Sequence, residues 1–94
     1  MTKYEMMYIV KSNGEEKVQE TAEKVLGVLS KYGADIEKND AWGEKALAYE
    51  INGCTRGCYY LTSFCLKEKK IKEIHQEVNY IEDLLRVMII VKNK

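Results

Sequence analysis

The segment Lys3-Tyr4-Glu5-Met6-Met7-Tyr8-Ile9-Val10 decides the fold, because its density of Tyr, Met, Ile and Val predicts a strand. Side chains alternate across a strand, so one face carries Tyr4, Met6, Tyr8 and Val10, and the other carries Glu5, Met7 and Ile9. Both faces are mainly apolar. A strand of this kind belongs in the middle of a sheet, between neighbouring strands.

The residues that follow this strand predict an amphipathic helix. The segment Ser12–Glu15 offers a helix start, in which a Ser or Asn oxygen accepts a backbone N–H and a Glu three residues later reciprocates. Apolar residues then recur at spacings of three and four: Val18, Ala22, Val25, Leu26 and Leu29. Gly33 stands where a left-handed residue would end the helix.

The middle of the chain predicts a β-hairpin. Residues 34–52 contain no helix signature, and we interpret them as one long strand that is bent by a bulge near Trp42-Gly43. Turn-forming residues fill the segment 52–57. This segment should connect the long strand to another strand over Cys58–Leu66.

The last part of the chain completes a known architecture. A second amphipathic helix is predicted from Glu68 to about Asn79, and a last strand from Leu85 to Val91. The resulting order is that of an α+β, ferredoxin-like βαββαβ sandwich, a four-stranded antiparallel sheet with two helices on one face. Right-handed crossovers place the first and third strands in the centre. Residues 1–94 are expected to form a single domain.

The composition excludes several classes of protein. A hydrophobic content of 46% with 32% charged residues is typical of a globular domain. Fifteen Lys and Arg balance fifteen Asp and Glu, which argues against a basic shell that holds nucleic acid by charge alone. Three cysteines, an odd number, favour a reducing compartment over a secreted disulfide framework. The longest apolar run, Val87–Val91, is far below the roughly 18 residues of a transmembrane helix, and we expect neither a membrane partner nor a signal peptide.

No group of residues predicts catalysis or a metal site. Cys58 and Cys65 lie seven residues apart on one predicted strand, so they point to opposite faces and cannot share a metal. His75 is expected to be a solvated surface residue, because no nucleophile or orienting partner accompanies it. The loop Lys11–Gly14 precedes a helix, where an anion can bind, but the two glutamates that follow would repel it. We therefore expect no metal, cofactor or small-molecule substrate.

The sheet face away from the helices keeps an apolar character. Its predicted residues include Met7, Ile9, Met88 and Ile90, with Arg86 among them. Apolar residues in such a position should be covered by something. The third strand lacks the Lys/Arg-Gly-Phe start of the consensus in RNA-recognition domains, so protein contact is favoured over base stacking on these residues alone.

One run is more specific than any of these signals: Trp42-Gly43-Glu44-Lys45-Ala46-Leu47-Ala48-Tyr49-Glu50-Ile51. It resembles the signature of the bacterial small-subunit ribosomal protein S six family, which has a glycine, any residue, a basic residue, a polar residue and then Leu-Ala-Tyr-x-Ile. Ala46 replaces the polar residue, and Glu44 stands where many members have another basic residue. Other parts agree in order and spacing: Lys3-Tyr4-Glu5, Lys31-Tyr32-Gly33-Ala34, Gly57-Cys58-Tyr59-Tyr60-Leu61 and Leu85-Arg86-Val87-Met88. The resemblance covers nearly the whole chain.

The resemblance implies a non-enzymatic structural protein of the small ribosomal subunit, located in the cytoplasm. Family members pair with ribosomal protein S eighteen and bind the central domain of small-subunit ribosomal RNA as that heterodimer. Carried over by position, the predicted RNA contacts are Lys3, Lys45 and Arg86. The residues expected to face the protein partner are Met7, Ile9, Met88 and Ile90. Because Glu44, Ala46 and Leu85 replace basic or polar family residues, we expect the chain to bind RNA weakly without its partner.

Alternatives stay open for several of these predictions. Lys45 is equally consistent with a solvated residue that protects an edge strand, and Arg86 with a surface ion pair to Glu5 or another neighbour. The alternation of Leu47, Tyr49 and Ile51 favours structural roles for these three. At the level of function, the alternative is a ferredoxin-like protein-interaction module that forms homo-oligomers through the exposed sheet face. A small phosphatase-like enzyme is a weaker third option.

Overall fold

The computed structural model describes residues 2–67 and 69–92. They form β1 (Thr2–Lys11), α1 (Glu15–Lys31), β2 (Asp35–Ile51), β3 (Cys54–Leu66), α2 (Ile71–Asn79) and β4 (Leu84–Val91). The strands make one antiparallel sheet in the order β2-β3-β1-β4, and both helices pack on one of its faces. The predicted ferredoxin-like sandwich, with its first and third strands in the centre, is confirmed.

β1 lies at the centre of the core, as its two apolar faces predict. Its inward residues are buried beneath the helices: Tyr4, Met6, Tyr8 and Val10. Thr62 donates its hydroxyl proton to Oδ1 of Asn39 at 2.8 Å, so the Tyr8 hydroxyl is the donor in its own 3.2 Å hydrogen bond with Thr62. Burial raises the pKa of Tyr8, and the buried hydroxyl is satisfied by this chain of bonds.

The long helix buries the predicted face but begins differently from the prediction. Its buried apolar residues are Val18, Ala22, Val25 and Leu29. Gly14, at φ 112°, occupies the N-cap position, and no side chain caps the helix. The predicted cap is wrong because the Ser12 hydroxyl donates to Glu44 at 2.6 Å, while the Asn13 amide donates to a carboxylate in the loop before β4. The helix ends as predicted, next to Gly33 at φ 78°.

The second helix is shorter than predicted. It begins at Ile71, and the predicted start at Glu68 lies outside the described residues. Lys69, Lys70 and Lys72 cluster around its first turn. Positive charge at a helix N-terminus is unfavourable, since the helix dipole is positive there, so these lysines do not stabilise the start of α2.

The carboxylate of Glu77 joins the two helices. It accepts a hydrogen bond from the hydroxyl of Tyr32, and the ammonium of Lys31 lies 3.1 Å from it. These two interactions, the Tyr32 hydrogen bond first, lower the pKa of Glu77. Leu29 of α1 and Val78 of α2 are both buried in the common core.

β2 and β3 form a long hairpin with a tight turn. Only Asn52 and Gly53 form the turn, with φ of 49° and 78°, which is the geometry of a type I′ turn. The predicted turn over 52–57 is therefore too long, because β3 already begins at Cys54. The predicted bulge at Trp42-Gly43 is confirmed by a register shift, at which the glycine adopts φ 91°.

The edge strand β4 differs from its prediction by one residue at its start. A register shift opposite Ile9 and Val10 places Leu84, rather than Leu85, against the core. Alternation predicts that Val87, Ile89 and Val91 share this face with Leu85. Val87 and Ile89 do pack against the core, whereas Val91 is 56% exposed. A bulge of this kind is invisible to an alternating pattern, because the pattern assumes an unbroken period of two.

Candidate nucleic-acid and protein interface

The sheet face away from the helices, which we call the open face, is apolar in its middle. Met7 pairs with Leu61 of β3 and with Met88 of β4, so these three side chains lie in one row. Ile90 follows in the next row, and Met88 and Ile90 are 51% and 47% exposed. We call Met7, Leu61, Met88 and Ile90 the apolar band. It contains three of the four residues predicted to face a partner.

The fourth residue, Ile9, is buried. Its side chain is on the open face, as predicted, but it is only 8% exposed. Leu47 and Tyr49 from the end of the long hairpin lie beside it and line a small cleft of about 150 Å³ with it. The prediction that Ile9 belongs to an exposed apolar surface is therefore wrong, because the hairpin covers it. Alternation along a strand shows which face a residue is on, and not what lies above that face.

Arg86 is held by an aromatic residue. Its Nη2 donates a hydrogen bond to the Tyr49 hydroxyl at 2.6 Å, and its guanidinium carbon lies 5.5 Å from the centre of the Tyr49 ring. These residues belong to β4 and β2, the two opposite edges of the sheet, so the hairpin end curls across the open face. The suggested ion pair with Glu5 is not formed, since the Glu5 carboxylate lies 3.8 Å from the ammonium of Lys92 instead.

Lys45 lies above two aromatic rings. Its ammonium is 5.4 Å from the centre of the Trp42 ring and 5.8 Å from that of Tyr59, both within the range of cation–π attraction. Tyr59 pairs with Ile9 of β1 in the same register row as Arg86, so Lys45 and Arg86 approach the same end of the open face. We call this the hairpin end. Sequence reasoning singled out Lys45 but missed its two aromatic neighbours.

Lys3 lies at the other end of the open face. Lys3 lies six positions before Ile9 on β1, or roughly 20 Å away at the rise of an extended strand. Its ammonium forms an ion pair with Glu37 at 3.1 Å, which raises the pKa of Lys3. A hydrogen bond from the Cys65 thiol, at 3.3 Å, and the contact with Lys3 lower the pKa of Glu37. The structure therefore brings together two of the three predicted RNA contacts and places the third apart.

Other kinds of site find little support among the described residues. No group of three or more His, Cys, Asp or Glu side chains there could hold a metal, and no described helix is long and apolar enough to cross a membrane. Cys58 packs against the core and Cys65 points to the open face, as their spacing predicts. His75 is exposed.

A groove of about 520 Å³ lies between the start of α1 and the long hairpin. Two carboxylates, those of Glu15 and Glu44, are part of its lining. A hydrogen bond from Ser12 and the contact with Arg56 lower the pKa of Glu44, so this carboxylate carries its charge at neutral pH. Negative charge at the groove disfavours the phosphate site that a helix N-terminus would otherwise offer.

The sheet, the two helices on one face and the apolar band on the other define a ferredoxin-like sandwich that carries its candidate interface on strands. Comparison with known proteins then specifies the family. Residues 3–91 match the family described as Ribosomal protein S6. The small ribosomal subunit protein bS6 of Desulforamulus reducens is 40% identical over 91 residues, which are 96% of this chain and 96% of that protein. The corresponding protein of Alkaliphilus metalliredigens is 41% identical with the same coverage of both chains. The chain belongs to the ribosomal protein S6 family and is a ribosomal protein of the small subunit.

A solved structure agrees with the fold. The 30S ribosomal protein S6 of Thermotoga maritima superposes with a TM-score of 0.89 and 22% identity, over 97% of this chain and 87% of that one. At this identity the likeness supports the fold alone. Family membership confirms the predicted location in the cytoplasmic ribosome and the predicted role in translation.

Proposed function

We propose that the chain is a structural, non-enzymatic component of the small subunit that binds the central domain of ribosomal RNA together with ribosomal protein S eighteen. The observation that carries this proposal is the apolar band on an otherwise charged surface. Met88 and Ile90 are about half exposed there, although both are large and apolar. Exposed apolar surface rimmed by charged residues is typical of a protein-binding site.

The apolar band is the proposed surface for the protein partner. Its four side chains come from three adjacent strands, so they form a rigid and continuous patch. Fully buried apolar contacts at the centre of an interface contribute most of its binding free energy, while charged residues at the rim contribute less. Ile9 is covered by the hairpin and supports this surface from below.

Lys45 and Arg86 are the proposed phosphate contacts. Both are exposed at the hairpin end, beside the apolar band. The guanidinium of Arg86 can donate two parallel hydrogen bonds to a phosphate, whereas Lys45 supplies a point charge. Lys3 is a third proposed contact, but it must exchange the carboxylate of Glu37 for a phosphate, so it adds less affinity.

The proposal is tested by titrating a central-domain RNA fragment with the chain, with and without the partner, at physiological salt. The chain has no net charge and only a few placed cations, so we expect weak binding alone and tight binding once the partner is present. Tight binding by the isolated chain would contradict the requirement for a partner. An RNA fragment that binds neither form would contradict the proposal itself.

The partner surface is tested by Met88→Lys, with Tyr80→Lys as its control. Tyr80 is also a large exposed residue, at 87%, but it follows α2 on the helix side of the sheet. A lysine in the middle of an apolar interface should weaken partner binding by roughly tenfold or more, since it must be desolvated there. The control should bind the partner normally. Equal effects of the two substitutions would place the interface elsewhere.

The apolar band also allows a test of the alternative function, in which the chain associates with further copies of itself instead of with a ribosomal partner. Static light scattering of the purified chain measures its mass in solution. A monomer supports the ribosomal role through a different protein partner. A dimer that Met88→Lys dissociates would favour the homo-oligomeric alternative instead.

A further inference from the structure

The cations of the open face fall into two groups. At the end of the face that holds Lys3, the three lysines on the strands or directly after β4 have carboxylate partners: Lys3 with Glu37 at 3.1 Å, Lys38 with Asp40 at 3.5 Å and Lys92 with Glu5 at 3.8 Å. The positive charge at that end is therefore largely compensated by the chain itself. Little of it remains to attract a separate anion.

The cations at the hairpin end are different. Lys11, Lys45 and Arg86 are exposed, and no carboxylate among residues 2–67 and 69–92 lies within 4.0 Å of their charged nitrogens. Lys11 and Lys45 pair with the same residue of β3, Gly57, from its two sides. In this row of the sheet, Lys11 and Lys45 lie on either side of Gly57, which has no side chain. Among the described strand residues of the open face, the cations without a carboxylate partner thus lie at the hairpin end.

Aromatic rings lie among these cations. Trp42 is 45% exposed, because the bulge beside Gly43 inserts an extra residue into the edge strand. Tyr59 is half-buried, and the ammonium of Lys45 lies above both rings. Proteins that bind single-stranded nucleic acid combine these same two elements, a positively charged surface that follows the backbone and exposed rings on which bases stack.

We propose that Trp42, Tyr59 and Lys45 form a site for an unpaired nucleobase, in which the base stacks on the Trp42 ring and Lys45 contacts a phosphate of the same strand. This inference rests on the proposed binding of ribosomal RNA and specifies that a single-stranded segment is recognised at the hairpin end. Three cations without a carboxylate partner among the described residues attract a polyanion such as RNA more strongly than they attract an apolar protein surface. RNA is therefore the favoured ligand at the hairpin end. The apolar band remains for the protein partner.

Fluorescence offers a direct test, because Trp42 is the only tryptophan in the sequence. The chain is titrated with a short single-stranded oligoadenylate and with an abasic oligomer of equal length and charge. Stacking should quench the Trp42 emission with the first probe and leave it unchanged with the second. Equal quenching by both probes would show that charge alone is sensed, and no quenching by the oligoadenylate, even in the complex with the partner, would show that no base stacks on Trp42; either result would overturn the stacking site.

Variants test the same site in the complex with the partner and the central-domain RNA fragment, by direct RNA binding. Trp42→Leu should weaken binding by roughly 5- to 150-fold, the range expected for one stacked base, whereas Trp42→Phe keeps a ring and should lose less. Lys45→Ala should reduce the salt dependence of the RNA-binding constant by the amount expected for about one phosphate contact. The matched variant Lys38→Ala should leave this salt dependence unchanged. Unfolding curves for each variant confirm that it is folded.

The outcomes separate this inference from the function on which it rests. If the unaltered complex binds the RNA fragment and Trp42→Leu binds equally well, the stacking site is refuted while the RNA-binding role stands. If the unaltered complex does not bind the fragment, both are refuted. If the protein partner alone changes the Trp42 emission and RNA adds nothing, Trp42 belongs to the protein interface and the inference is wrong.

Discussion

Replacing Gly57 with alanine adds one methyl group at the place where β3 passes beneath Ile9. A Cβ atom on Gly57 would lie 2.5 Å from Cγ2 of Ile9, and 3.5 Å from Cδ2 of Leu47. Carbon atoms in ordinary contact are about 3.5 Å apart, so the distance from this Cβ to Cγ2 of Ile9 is too short by about 1 Å. Ile9 is β-branched and 8% exposed, and its side chain cannot rotate away at low cost.

We therefore expect Gly57→Ala to destabilise the fold by about 1–3 kcal/mol, the usual cost of overpacking by a methyl group. In a domain of this size each kcal/mol lowers the Tm by about 4–8 °C. Urea and thermal unfolding, followed by circular dichroism, measure both quantities. Gly27→Ala is the control, because a Cβ there meets nothing within 4 Å and the site is in a helix. The control should gain about 0.5–1 kcal/mol.

A double-mutant cycle identifies the cause. Ile9→Ala removes the Cγ2 atom that would clash, so Gly57→Ala should cost almost nothing in that background. An equal cost in both backgrounds would show that Ile9 is not packed over Gly57. A Gly57→Ala variant as stable as the unaltered chain would refute the close approach of the hairpin end to β1 altogether.

Surface contacts lead to three further expectations. The pKa of Glu77 is lowered in the folded chain, so its contribution to stability is present above its ordinary value of 4.5 and is lost as the pH falls through the folded pKa. Glu77→Gln should accordingly flatten the acid side of a plot of Tm against pH, and an unchanged slope would contradict the contact. Glu37 raises the pKa of the Cys65 thiol through a hydrogen bond, so Glu37→Gln should speed alkylation of Cys65 at neutral pH, as measured by mass spectrometry. Tyr49→Phe removes the hydrogen bond to Arg86 but keeps the ring. It should weaken binding of the RNA fragment by the partnered chain roughly 2- to 12-fold in the same titration, and no loss would show that Tyr49 does not position the guanidinium.

The sequence predicts the layers of this fold because they depend on local patterns. The two apolar faces of the segment 3–10 predict a central strand. Apolar spacing predicts five inward residues of α1, of which four are buried and Leu26 is partly buried. Gly43 predicts the bulge, since a positive φ is accessible to glycine and costly for most other residues. Each of these features depends on residues that are close together along the chain.

Features that depend on distant residues could not be predicted in this way. The cap expected from Ser12 does not form because Glu44, more than thirty residues away, takes its hydroxyl. Ile9 is buried by the far end of the hairpin, and Arg86 is held by Tyr49 across the width of the sheet. The family resemblance singled out Lys45 and Arg86, and only the structure shows that they lie at the same end of the open face.

The strand order also sets the order in which the chain can fold. β2 and β3 meet through a two-residue turn, so this hairpin needs little loop closure and can form within microseconds. The pairing of β1 with β4 joins Tyr4 to Val91, which are separated by almost the whole chain. Such a contact carries a large entropic cost and is expected to form late. Substitutions in the tight turn should therefore slow folding, while substitutions in β4 should mainly speed unfolding.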